Sequence, residues 1–162
     1  MRLVHTLAMI GSPILILMAA SLETGRDTNP PVKQEQTIEK NLALPPTVSA
    51  MLRRSCFDCH SSETRWPWYA QAPVLGHLVE RDVAGGREAM NFSEWSIGAG
   101  KTPLQAGAIL LAACEAVRLH RMPKPRYLLM HSEAAPKPED VEQFCAWAHT
   151  EAAELMPAIR KP

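Results

Sequence analysis

Five consecutive residues, Cys56-Phe57-Asp58-Cys59-His60, constrain this chain more than any other feature. C-x-x-C-H is the attachment sequence of c-type haem. Its two thiols add to the porphyrin vinyl groups as thioethers, and the two-residue spacer lets both sulfurs reach one edge of the ring. The adjoining imidazole then ligates the iron from one face. Two other uses of a C-x-x-C pair fit less well. A thioredoxin-like redox pair needs a βαβ setting, and the flanking pattern has no strand alternation. A zinc site needs ligands beyond Cys56, Cys59 and His60, and the other two cysteines, Cys114 and Cys145, stand isolated. The expected cofactor is therefore one covalently bound haem c.

The N-terminus agrees with that chemistry. Arg2 is the only charge in the first 22 residues, and Leu3 to Leu22 is largely apolar, broken by Gly11-Ser12-Pro13. Residues 1–22 read as a signal peptide or an uncleaved membrane anchor. Leu17 and Met18 stand where cleavage prefers small residues, and the two fates stay open. Either one places the rest of the chain outside the cytoplasm, in the periplasm, where bacterial haem c is attached. Residues 23–46, with Asn29-Pro30-Pro31 and Pro45-Pro46, read as a tether, because proline fixes extended backbone and stops helices. Residues 47–162 are then the haem-binding domain. Lys+Arg and Asp+Glu both total 17, so no polyanion-binding field exists and nucleic acid is not an expected partner.

The pattern after residue 46 is all-α. Thr47 is the expected cap of a helix running to about Cys56, and the haem motif closes it. Residues 61–72 are a loop containing Trp66-Pro67-Trp68-Tyr69. A helix begins near Pro73 and is expected to fray at Gly85-Gly86. Thr102-Pro103-Leu104-Gln105 combines an N-cap, a proline at the first helical position and a capping-box glutamine. That helix should run to about His120, where Met122-Pro123 ends it. A Pro-rich loop over 123–137 precedes a last helix from Pro138.

Met122 is the candidate sixth iron ligand, 62 residues after His60, with His77, His120 and His131 as rivals. A thioether favours Fe(II) and raises the potential relative to two imidazoles. Trp66, Trp68, Tyr69, Phe92 and Trp95 are candidate haem-wall residues. The polar tips of the Trp and Tyr rings, or the charges of Arg65 and Arg87, could also meet a propionate. Cys114 and Cys145 form either a disulfide or two buried thiols, since sequence does not supply their separation.

Asn29-Pro30-Pro31-Val32 and the run from Leu52 to Tyr69, with its C-x-D-C-H-S-x-x-T-x-W-P-W-Y pattern, resemble the bacterial haem-binding domain family of small exported mono-haem proteins. Ala72-Pro73-Val74, Gly86-Arg87, Asn91-Phe92-Ser93-Glu94-Trp95, Met122-Pro123, Tyr127, His131 and Trp147 continue the likeness. The resemblance implies a fold similar to class I cytochromes c, with C-x-x-C-H on the first helix and the distal Met in a loop before the last, here His60 and Met122. Two departures stand out. Lys124 follows Met-Pro where the family has a second proline, and Lys137-Pro138 opens the last helix in place of a Ser-type cap.

These readings lead to a monomeric c-type cytochrome that carries single electrons to a redox partner protein or respiratory complex and is not an enzyme. The alternatives are a haem enzyme or gas sensor with an open sixth site, or an accessory haem module of a membrane redox complex. A peroxidatic site would need a nearby acid–base group such as His77, His120 or Glu94.

Overall fold

A computed structural model describes residues 28–97 and 101–156. Leu3 to Leu22, read as signal or anchor, lies outside them. Among the described residues the regular structure is helical, with one isolated bridge between Ile97 and Lys101, and no helix is long and apolar enough to cross a membrane. The helices are α1 (Ile38–Asn41), α2 (Pro46–Ser55), α3 (Phe57–His60), α4 (Pro73–Ala89), α5 (Pro103–Arg118), α6 (Pro125–Leu128) and α7 (Pro138–Leu155).

The long helices start as their sequences dictate. At α5, Thr102 Oγ1 accepts from the Gln105 N–H at 3.2 Å and Gln105 Oε1 accepts from the Thr102 N–H at 2.9 Å, the expected capping box. At α7 lysine has no oxygen to offer, so only the reverse half forms: Asp140 accepts from the Lys137 N–H at 2.9 Å. Helix α2 departs from expectation. Pro46 takes its first position, so Thr47 lies inside the helix and no side chain caps it.

Helices α5 and α7 pack together, with α2 across α7. Met51, Leu52, Leu110, Phe144 and Ala148 fill the space between them, each at most 2% exposed. A disulfide joins Cys114 on α5 to Cys145 on α7, with their Cα atoms 5.1 Å apart.

The segment expected as a tether bonds through Asn29 to Thr64 and packs on the core at Ile38. Ile38 is fully buried, its N–H donates to the Phe92 carbonyl at 2.8 Å, and the Gln36 carbonyl accepts from Trp95 at 2.6 Å. Ser49 Oγ and Arg53 Nε both donate to Glu39, at 2.8 and 2.9 Å, and fasten α1 to α2. Ile38 and Glu39, on the short helix α1, bind this segment down.

Helix α4 does not fray at its glycine pair but continues to Ala89. The reason is close packing. A Cβ on Gly86 would lie 2.3 Å from the Cys59 carbonyl oxygen, so only glycine lets α4 approach the haem motif this closely. That contact supplies what glycine's low helix propensity lacks.

Candidate functional site

Cys56 breaks the α2 helix, with φ −128°, and the rest of the motif forms the single turn α3. Hydroxyls behind the motif hold that turn. Ser61 Oγ donates to the Phe57 carbonyl and Thr64 Oγ1 to the Asp58 carbonyl, both at 2.8 Å. Arg87 Nε donates to the Ser61 carbonyl at 2.8 Å, and its Nη2 donates to Thr64 Oγ1 and Asn29 Oδ1 at 2.9 Å. Arg65 donates to Asp58 at 3.1 Å. Both arginines thus brace the motif's loop.

Cys56, Cys59, His60 and Met122 line one cavity of about 410 Å³. Of the aromatic candidates Phe92 lines it, and Trp66, Trp68, Tyr69 and Trp95 do not. Trp95 is fully buried behind Phe92, with ring centroids 6.1 Å apart, and its indole N–H has no hydrogen-bond partner. Trp66 donates to Asn29 Oδ1 at 3.1 Å. Trp68, 80% exposed, and Tyr69 border a second cavity of about 340 Å³ that shares Cys59, Asp58, Asp82 and Tyr127 with the first. The aromatic run lies beside the motif in sequence, but the turn at Ser61 carries it to the motif's outer side.

Backbone groups hold His60 in place. Its Nδ1 lies 3.2 Å from the Met90 carbonyl, so it can donate there and leave Nε2 as the free lone pair. The His60 carbonyl accepts from the Phe92 N–H at 2.7 Å, which fixes the residue at both ends. Burial holds the imidazole below its usual pKa, against the pull of the Met90 and Gly86 carbonyls, so it is neutral at neutral pH. Burial also pushes the Cys56 thiol up to about 12, and burial with the carboxylates of Asp82 and Asp58 pushes Cys59 up to about 11. Neutral thiols do not suit a dithiol redox pair. Among the described residues no three His, Cys, Asp or Glu side chains converge to hold a metal ion.

The rival histidines sit elsewhere. His77 is exposed and pairs with Glu80 at 3.4 Å, and His120 is exposed at the end of α5. His131 Nε2 lies 2.8 Å from the Tyr69 hydroxyl. Met122 and Pro123 stand between the first cavity and a third of about 790 Å³.

A family model of the haem-binding domain matches residues 14–150. The chain belongs to this haem-binding family. No curated protein and no solved structure matches it.

The residues of this haem-binding domain fit the group. Two helices face the cavity with small residues at the same spacing: Gly85, Gly86 and Ala89 on α4, and Ala112, Ala113 and Ala116 on α5. Offsets of 1 and 4 align each triplet on one helical face, so two flat walls flank a space suited to a planar ring. Ser55 Oγ, buried in the cavity wall, has no hydrogen-bond partner within the protein. These triplets were the signal in the sequence that motif reading passed over, because alanine and glycine carry no chemistry of their own.

Proposed function

We propose that this chain is a mono-haem c-type cytochrome of class I-like architecture that carries single electrons on the outer side of the membrane. The carrying observation is the convergence of two thiols, an oriented imidazole and a thioether on one apolar cavity. Cys56 and Cys59 would hold the ring through thioether bonds, and His60 and Met122 would ligate its iron. When bound, the haem supplies a one-electron couple. The chain orients His60 through Met90, presents Met122 from the loop after α5, and keeps water from the inner face with Leu52, Phe92, Val117 and Phe144. Low polarity there and a thioether ligand both favour the ferrous state.

A peroxidatic site has less support. None of His77, His120 and Glu94 lines the cavity. The carboxylates that do, Asp58 and Asp82, are held in ion pairs with Arg65, and with Lys124 and Arg126. Attachment through residues 3–22, a periplasmic location and a redox partner protein complete the proposal.

The test is the absorption spectrum of protein exported in a strain able to attach haem c, together with its intact mass. A low-spin ferric spectrum with the weak far-red band of a Met–iron bond, lost in Met122→Ala, would support the carrier. A high-spin spectrum that binds CO rapidly once reduced would favour the enzyme or sensor. A mass without haem would defeat covalent attachment.

A further inference from the structure

We propose that Asp82 is the positioning residue that locks the Met122 loop over the haem cavity. The proposal rests on Met122 being the sixth ligand. Asp82 lies one turn before Gly86 on α4, and only 15% of its side chain is exposed. It binds two cations that follow Met122 in the chain. Lys124 Nζ donates to Oδ1 at 2.7 Å, Arg126 Nε donates to Oδ2 at 3.1 Å, and Arg126 Nη2 also pairs with Oδ1. One carboxylate therefore binds the chain two and four residues beyond Met122.

Exposed single ion pairs contribute little, but a mostly buried carboxylate shared by two cations resists removal of either. The anchor point matters as much as the strength. Through Gly86, α4 is packed on the Cys59 backbone, and through the Met90 carbonyl it orients His60. The loop is thus referenced to the same helix that positions the opposite ligand. Lys124 lies between Pro123 and Pro125, so its side-chain tie acts on a stretch of chain that proline already stiffens. The 790 Å³ cavity on the far side of Met122 leaves room for the loop to swing once released. Asp82 then sets how often the sixth position opens, and hence whether the protein behaves as a closed carrier or a ligand-binding haem protein.

The experiment uses the full-length protein with haem attached. Wild type and Met122→Ala come first: if Met122→Ala leaves the spectrum unchanged, the ligand reading fails whatever Asp82 does. With that reading secure, Asp82→Asn, Asp82→Glu and Glu39→Gln, a distant ion-pair control, are compared by two measurements. One is the rate of CO binding to ferrous protein, and the other is the temperature at which the Met–iron band disappears relative to global unfolding. Asp82→Asn should bind CO about tenfold faster and lose the band well before unfolding, with Asp82→Glu restoring both and Glu39→Gln changing neither. Band loss that tracks unfolding, with CO rates within about twofold of wild type, would overturn the lock. If Asp82→Asn does not fold, the double variant Lys124→Gln/Arg126→Gln removes the same tie from the loop side and decides by the same readouts.

Discussion

At the residue scale, the site depends on atoms that approach without a side chain between them. Gly86→Ala inserts a methyl 2.3 Å from the Cys59 carbonyl oxygen, and backbone on both sides leaves little room to yield. We expect a loss of about 2–3 kcal/mol in stability and a lower yield of haem-loaded protein, seen by thermal unfolding and haem-stained gels. Met122→Ala should leave the fold intact while lowering the reduction potential, because the thioether that favours Fe(II) is gone; an unchanged potential by redox titration would exclude Met122 as ligand. The motif itself was legible from sequence, since two thiols and an imidazole in five residues need only a short turn to act together. The positions of Trp66, Trp68 and Tyr69 were not, because adjacency along the chain does not say which side of that turn a ring occupies.

At the element scale, the ends of helices were legible where chemistry is local. The Thr102–Gln105 box formed as its residues require. The far end of α5 did not follow from sequence. There His120 takes a left-handed conformation at φ 53°, and the N–H groups of Arg121 and Met122 return to the Ala116 carbonyl at 2.9 and 3.1 Å. Glycine is the usual residue at such a cap. His120→Gly should therefore raise stability by about 0.5–1 kcal/mol and leave the haem spectrum unchanged, both measurable on one sample. A spectral change would return His120 to the ligand question. The α1–α2 clasp carries a pH signature. Burial pushes the Glu39 carboxyl up, but hydrogen bonds from Arg53 and Ser49 outweigh it and hold the pKa below the ordinary carboxylate value. Its contribution is present above the ordinary value and is lost as pH falls through the lowered one. The gap in thermal midpoint between wild type and Glu39→Gln should thus be widest near neutrality and close in acid.

At the scale of the whole molecule, two connections hold distant parts of the chain together. The Cys114–Cys145 disulfide closes a separation of 31 residues between the two longest-packed helices. Replacing both cysteines by serine should cost about 3–4 kcal/mol on the chain-entropy view, read from thermal unfolding, with the haem spectrum kept. Residues 29–45 form the second connection. Removal of the chain through Pro45 takes out fully buried Ile38 and should lower the unfolding midpoint sharply. By itself the sequence determined the helical class and the grouping of Cys56, Cys59 and His60 on one short turn, because each depends on residue chemistry at short spacing. Tertiary structure alone decided the rest: that Ile38 of the proline-rich segment is buried, that Cys114 meets Cys145, and that Gly86 and Asp82, one turn apart on α4, reach the Cys59 backbone and the chain beyond Met122. Those facts depend on which helix faces meet across the core, and burial across long sequence separations, not local pattern, selects the faces.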